Sequence, residues 1–185
     1  SPENLSTNFA GKEIVISFNE FIVLKELDKQ LIISPIIKPA PTITVKGKSL
    51  IIELKKELLP NTTYTLNFGN AITDLHEANA VEDFRYVFST GDYVDTLHID
   101  GTVSFANDLK TEKGILVMLY NTDILNDSLP YLRMPDFFTR TDATGNYSIR
   151  NISNGPYKIF ALKDADPDSK FNSSHEQVGF INYTL

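Results

Sequence analysis

The stretch "LLPNTTYTLNF", Leu58–Phe68, carries the clearest fold signal in the chain. From Tyr64 onward, large apolar residues fall at every second position, which is the period of a strand with one buried face. Pro60 stands just before this run, where its fixed φ suits an arch of the chain and its missing N–H is not needed. The stretch therefore predicts a β-strand that is entered through a tight arch.

The same alternation recurs on both sides of this stretch. The first-half runs that share it are "EIVISF" (Ile14, Ile16, Phe18), "SLIIEL" (Leu50, Ile52, Leu54) and "FRYVFST" (Phe84, Tyr86, Phe88). The prolines of "SPIIKPAP" restrict that segment to a sheet edge or a loop, and "VKGKS" around Gly47 is typical of a turn. "LKELDKQL" suits one helical turn, but no segment sustains a period of 3.6. The pattern predicts an all-β fold, a sandwich or a barrel.

The segment "TGDYVDT", Thr90–Thr96, separates two series of strands. After it come "LHIDGTVSF", "GILVMLY", "FFTRTD", "NYSIRNI", "YKIFALK" and "VGFINYTL". The turns "DATGN" and "SNGP" punctuate this second series as hairpin connections. A chain of 185 residues suits two domains of about 90. We therefore predict two tandem β-sandwich domains, residues 1–93 and residues 94–185.

Composition excludes several classes of function. The net charge is −7, and the 17 Lys and Arg residues are scattered, so we expect no nucleic-acid partner. There is no cysteine, which excludes disulfides, thiolate zinc sites and cysteine nucleophiles. No run approaches the ~20 apolar residues of a membrane-spanning helix. The chain opens at Ser1-Pro2 without a methionine, which is typical of a processed or excised piece.

Signatures of an enzyme are absent from the sequence. The three histidines, His76, His98 and His175, lie far apart along the chain among polar neighbours. No serine lies in a nucleophile elbow, and no glycine-rich loop could cradle a phosphate. The acidic pair Glu82-Asp83 is more simply explained as a solvated turn than as a glycosidase pair. We therefore expect a protein that is not an enzyme.

The stretch "ALKDADPDSKFNSSHE", Ala161–Glu176, is the only one that suggests a bound ion. Asp164, Asp166, Asp168 and Asn172 stand at positions 1, 3, 5 and 9 of a loop, as in the first half of an EF-hand. The rest of this loop departs from the EF-hand pattern, because position 6 is not glycine, position 4 is a stiff proline and position 12 is a histidine. Two interpretations remain open: a weak calcium site, or an exposed turn built from ordinary turn residues. We expect no cofactor apart from this calcium ion.

The first half resembles bacterial Ig-like domains of the S-layer type. The segments that carry the resemblance are "SPENLSTN", "ISFNE", "LLPNTTYTLNF", "AITDLHEANAVEDF" and "YVFSTGD". It implies that Leu58-x-Pro60-x-Thr62-x-Tyr64 is a tyrosine corner, in which the Tyr64 hydroxyl bonds to backbone a few residues upstream. Where the family has Gly-Asn before its last strand, this chain has Ala78-Asn79. The turn must therefore adapt, or Asn79 must take the positive φ itself.

The second half resembles a transthyretin-like sandwich of the carboxypeptidase-regulatory type. The residues that carry this resemblance are Thr141, Asp142, Gly145, Tyr147, Gly155 and Tyr157, together with "DGTVSF" and "GILVMLY". The pairing of the two modules is similar to the front of large bacterial envelope lipoproteins. It implies an exported, monomeric scaffold in the cell envelope, at the outer-membrane surface or in the periplasm, with other envelope proteins or glycans as partners.

Two alternative functions stay open. One is a glycan- or peptide-binding surface module that uses "YLRMPDFF", Tyr131–Phe138, where aromatic residues stand beside a long connection. The simpler interpretation is that this loop folds onto the sandwich edge, or that Phe137 and Phe138 begin the next strand. The other alternative is an accessory domain of a larger hydrolase, which the second half alone would fit.

Overall fold

The protein is described by a computed structural model that covers residues 1–122, 127–166, 168–181 and 183–185. Strands hold 41% of the described residues and helices 4%, so the all-β prediction is confirmed. The chain forms two compact units, Ser1–Asp95 and Thr96–Leu185. Among the described residues, no helix is long and apolar enough to cross a membrane.

Unit 1 consists of eight strands and one short helix. They are β1 (Glu13–Ser17), β2 (Ile22–Leu24), α1 (Leu27–Gln30), β3 (Ile32–Ser34), β4 (Thr42–Lys46), β5 (Ser49–Glu53), β6 (Thr63–Gly69), β7 (Ile72–Asp74) and β8 (Phe84–Ser89). They pair in the orders β1-β5-β4, β3-β6-β8 and β2-β7. All of these named pairings are antiparallel.

The core of unit 1 follows the alternation in the sequence. Tyr64, Leu66 and Phe68 of β6 are at most 2% exposed, and Leu66 lies opposite Tyr86 of β8. The buried side chains of the β1-β5-β4 sheet, such as Ile52, join the same apolar cluster. Burial of this kind is the main stabilising contribution, at ~25 cal/mol per Å² of apolar surface.

The arch before β6 has the hydrogen bond that the tyrosine corner implies. The Tyr64 hydroxyl accepts the backbone N–H of Leu59 at 3.0 Å. Inside the arch, the Thr62 hydroxyl donates to the carbonyl of Pro60 at 2.8 Å. The Tyr64 ring is stacked on Phe88 with a centroid distance of 5.5 Å. Burial raises the pKa of the Tyr64 hydroxyl, and the Leu59 N–H opposes that rise.

The turn before β8 adapts without using Asn79. Ala78 takes the left-handed conformation, with φ 60°, although alanine has a Cβ that disfavours it. The Asp74 carboxylate stabilises the preceding turn by accepting the N–H groups of His76 and Glu77 at 2.8 and 2.7 Å. The Asp74 side chain therefore holds this turn. A glycine at position 78 would lower the backbone strain but would add no hydrogen bond.

The described residues of unit 2 form six strands and one short helix. They are β9 (Leu97–Thr102), β10 (Leu116–Asn121), α2 (Leu129–Leu132), β11 (Phe137–Arg140), β12 (Asn146–Ile152), β13 (Tyr157–Lys163) and β14 (Gln177–Phe180). Four strands pair in the order β11-β10-β13-β14, and two pair as β12-β9. Strand β11 begins inside the aromatic segment Tyr131–Phe138, at Phe137, so Phe137 and Phe138 belong to a strand.

Both faces of the four-stranded sheet are apolar. On one face Val117, Leu119 and Ile159 join a cluster with residues of β12. On the other face Met118 and Phe160 lie in a second cluster, covered by residues of α2 and by the loop before β14. Near-continuous apolar strands such as "LVMLY" are typical of a sheet that is covered on both faces.

Candidate functional site

The candidate site is the loop between β13 and β14, residues 164–176. It starts directly after Lys163 and ends directly before Gln177, so it closes the hairpin of these two strands. Its Phe171 packs on the outer apolar cluster of unit 2, and its N–H donates to the carbonyl of Pro130 at 2.9 Å. The proline that stiffens position 4, Pro167, lies outside the described residues.

The loop brings three of the four predicted ligands together. One carboxylate oxygen each from Asp164, Asp166 and Asp168 lie within 4.8 Å of one another. Calcium binds oxygens at about 2.3–2.6 Å, so two ligands of one ion are at most ~5 Å apart. The three carboxylates therefore have a spacing that one calcium ion could bridge. Asp166 and Asp168 are exposed, and Asp164 is half-buried.

Asp164 has an oxygen that lacks a partner. Its Oδ2 accepts the N–H of Ser169 at 3.0 Å, whereas Oδ1 is buried with no hydrogen bond among the described residues. Burial raises the pKa of Asp164, and the nearby charges of Glu176 and Asp168 add to that rise. A buried carboxylate oxygen without a donor is costly, so a cation at this position would stabilise the ionised form.

Asn172 is placed differently from the three aspartates. Its Nδ2 donates to Oδ2 of Asp168 at 2.6 Å, so the amide nitrogen faces this carboxylate. The other oxygen of Asp168 accepts the N–H of Lys170 at 2.7 Å. In this arrangement the amide of Asn172 orients the Asp168 carboxylate, and the assignment of Asn172 as a ligand stays a prediction.

Glu176 is the loop residue whose role the sequence did not reveal. It is 6% exposed, and its carboxylate accepts the N–H groups of Ala165, Asn172 and Ser173 at 3.2, 2.9 and 3.1 Å. These bonds, that of Asn172 first, lower the pKa of Glu176. In the numbering of an EF-hand loop, Glu176 falls one residue after the position of the last ligand. The structure shows that its carboxylate instead anchors the backbone of the loop. The signal available in the sequence was an acidic residue at the end of the loop, since a carboxylate can accept several N–H groups.

His76 and His98 lie outside this loop, whereas His175 lies within it and donates its backbone N–H to the Ser173 hydroxyl at 3.2 Å. His76 is 3.8 Å from Asp74 and His98 is 3.6 Å from Asp100, and all four belong to exposed or partly exposed surface. Within the described part of the chain, the Asp164 loop is the one place where three or more His, Asp or Glu side chains could share an ion. The aromatic segment leaves only its first residues exposed, with Tyr131 at 64%, whereas Phe137 is 6% exposed.

Comparison with known protein families finds a match within the first half. Residues 1–90 match the family described as bacterial Ig-like domain. Domains of this family are typically extracellular in bacteria and are generally not catalytic. No curated protein and no solved structure matches the chain.

Proposed function

We propose that the chain is a pair of non-catalytic structural modules of an exported bacterial cell-envelope lipoprotein, which hold or present other parts of that protein outside the cell. The observation that carries the proposal is the match of residues 1–90 to an extracellular bacterial family. The buried cores of both units support it, because the large side chains described there are apolar or aromatic and pack against one another. Other envelope proteins or glycans are the proposed partners, and the protein acts as a monomer.

The proposal includes a second domain of the transthyretin-like type and a boundary between residues 93 and 94. It is supported by the separate apolar clusters of the two units, because each unit buries its own core. We expect residues 1–93 and residues 94–185, expressed separately, each to give dispersed amide resonances and a cooperative melt. If both fragments lack dispersed amide resonances and a cooperative melt, the proposed domain boundary is wrong.

Cell fractionation tests the proposed location. An antibody raised against residues 1–185 should detect the natural protein in the envelope fraction of the source cells, and metabolic labelling with palmitate should mark the same band. Detection in the cytoplasm, or an envelope band without the lipid label, would contradict the lipoprotein assignment. A cytoplasmic chaperone serves as the control for leakage between fractions.

We also propose that the loop of residues 164–176 binds one calcium ion weakly. Three carboxylates converge within 4.8 Å, and the buried Oδ1 of Asp164 has no donor among the described residues. Extracellular calcium modules commonly have dissociation constants of ~10⁻⁴–10⁻³ M. The Glu176 anchor fixes the loop backbone before an ion arrives, which lowers the entropy cost of binding.

Thermal melting tests the calcium proposal. Calcium at about ten times its dissociation constant should stabilise the folded protein by RT ln 11, about 1.4 kcal/mol, and raise the melting temperature by several degrees relative to EDTA. Asp166→Asn should abolish the rise, while Asp92→Asn, an exposed acid outside the loop, should keep it. An equal rise in both variants, or no rise in the unmodified protein, would show that the loop is only a turn.

A further inference from the structure

A pocket with aromatic walls lies in unit 2, beside the apolar cluster that contains Phe160. Its volume is about 280 Å³, and four aromatic side chains line it, those of Tyr131, Phe160, Phe171 and Phe180. Phe160 is 1% exposed and is the buried part of the wall, whereas Tyr131 and Phe180 are 64% and 53% exposed. A ligand that enters this aromatic pocket therefore meets several rings at once.

Backbone hydrogen bonds place the two rings on one side of the aromatic pocket. The N–H of Phe171 donates to the carbonyl of Pro130 at 2.9 Å, which joins the loop of residues 164–176 to the helical turn that carries Tyr131. Within that turn, the N–H of Tyr131 donates to the carbonyl of Ser128 at 3.0 Å. The backbone that carries both rings is therefore set before a ligand arrives.

The β13–β14 ladder places the other two rings. Phe160 and Phe180 are direct partners in this ladder, and their ring centroids are 6.0 Å apart at an interplanar angle of 44°. Directly opposed residues carry their side chains on the same face of a sheet, so both rings border the pocket. Because backbone pairing positions all four aromatic side chains, a ligand does not have to order the chain, which lowers the cost of binding.

The aromatic pocket contains one charged group among the described residues that line it, the carboxylate of Asp127. Asp127 is exposed, and its carboxylate has no hydrogen-bond or ion-pair partner within the described part of the chain. The basic residues that stand nearest to Phe160 and Phe171 along the chain, Lys158 and Lys170, are not part of the lining. The net charge of the whole chain is −7, so the pocket offers a negative charge to a ligand.

Aromatic faces beside a carboxylate favour a particular kind of cation. The face of an aromatic ring carries the negative part of its quadrupole, so it attracts a cation that lies over it. A metal ion or a primary ammonium group is strongly hydrated and would have to lose that water among apolar rings. A methylated ammonium group has its charge spread under apolar methyl groups, and recognition of such groups is the main functional use of aromatic cages.

We propose that the aromatic pocket binds a small organic cation with a methylated ammonium group, the chemical class of choline. The methyl groups pack on the rings of Tyr131, Phe171 and Phe180, and the positive charge lies near the Asp127 carboxylate. A cavity of ~150 Å³ holds one benzene-sized group, so the pocket has room for a trimethylammonium group and a short chain. The inference goes beyond the proposed structural role and does not rest on it.

Two other occupants fit the aromatic pocket less well. A neutral apolar molecule would pack on the rings but would remove water from the Asp127 carboxylate without giving it a partner. A sugar also stacks on aromatic faces, but it carries many hydroxyl groups that need partners. The polar side chains in the described lining are those of Asp127, Ser128 and Tyr131, which all stand on one segment of the chain.

The experiment titrates the chain of residues 1–185 with choline chloride and follows the amide and aromatic-ring signals by NMR. EDTA is present throughout, so the result does not depend on calcium in the neighbouring loop. We expect saturable shifts of the ring signals of Tyr131, Phe171 and Phe180, with a dissociation constant on the order of 1 mM for so small a ligand. Sodium chloride at the same ionic strength should leave these signals in place.

The matched control ligand is 3,3-dimethyl-1-butanol, which has the shape of choline with a neutral carbon in place of the nitrogen. It keeps the apolar contacts and loses the attraction of the charge to the rings and to Asp127. We therefore expect it to bind about tenfold more weakly than choline.

Two variants separate the ring from the carboxylate. Tyr131→Leu keeps an apolar side chain but removes one ring, and it should weaken choline binding about two- to fivefold. Tyr93→Leu, at a similarly exposed tyrosine outside the pocket, should have no effect. Asp127→Asn removes the charge and should weaken binding about two- to fivefold, whereas Asp92→Asn should not. Since all four positions are exposed, the folded state is expected to persist, and a melting scan of each variant checks this.

Three results would overturn the proposal. The first is the absence of saturable shifts at choline concentrations of about 50 mM. The second is equal binding of choline and 3,3-dimethyl-1-butanol, which would show an apolar pocket without preference for a cation. The third is unchanged choline binding in both Tyr131→Leu and Asp127→Asn, which would place the bound cation elsewhere on the acidic surface.

Discussion

Removing one hydroxyl group from the arch before β6 gives a direct test of how unit 1 is held. Tyr64→Phe keeps the ring, which is stacked on Phe88 at 5.5 Å, and deletes the oxygen that accepts the Leu59 N–H at 3.0 Å. The substitution leaves no cavity, so its effect measures the hydrogen bond and not the packing. Loss of a partner for a buried donor costs about 1–3 kcal/mol.

The lower end of that range applies here. The side chain of Leu59 is 61% exposed, so water can reach its neighbourhood and replace part of the lost bond. We therefore expect the free energy of unfolding to fall by about 1 kcal/mol. For a unit of this size, such a loss lowers the melting temperature by about 4–8 °C.

Urea denaturation followed by circular dichroism, with NMR signals of β6 to identify unit 1, measures the change. Tyr93→Phe is the control, because Tyr93 is 62% exposed and loses little when its hydroxyl is removed. The reasoning fails if the midpoint for unit 1 in Tyr64→Phe equals that of Tyr93→Phe. It also fails if the dependence on urea changes, since that would indicate a change in the compactness of either state.

Two further predictions concern unit 2. The Thr144 hydroxyl and backbone N–H donors lower the pKa of Asp142 below 3.8, so its stabilising contribution is complete above that value and is lost as pH falls through the lower folded pKa. Melting scans from about pH 5 to about pH 2 should show a steeper loss for the native chain than for Asp142→Asn, and parallel curves would contradict this. Gly101→Ala should destabilise by about 1–3 kcal/mol in urea, because the new Cβ would lie 2.5 Å from the Tyr147 hydroxyl oxygen. Gly179→Ala, with open space around its Cβ, should leave the midpoint in place, and equal effects of the two changes would refute the argument.

The strands of both units could be predicted because each has a strong period. In "YTLNF" the positions that alternate in the sequence are the ones that the core buries, and Tyr64, Leu66 and Phe68 all lie in one cluster. The Ala78 turn could not be predicted in detail. The sequence shows that glycine is missing there, but not that Asp74 supplies the N–H acceptors that hold the turn.

The candidate loop could be predicted only in part, because spacing along the chain does not give the hydrogen bonds of the folded loop. Asp164, Asp166 and Asp168 are local in sequence, and the loop does bring their carboxylates together. The role of Glu176 depends on where the N–H groups of a folded loop point, which no spacing rule contains. Asn172 fits the spacing of a ligand, yet its amide is engaged with Asp168. Ligand spacing identifies which residues can meet, while the hydrogen bonds of the loop decide which of them stay available.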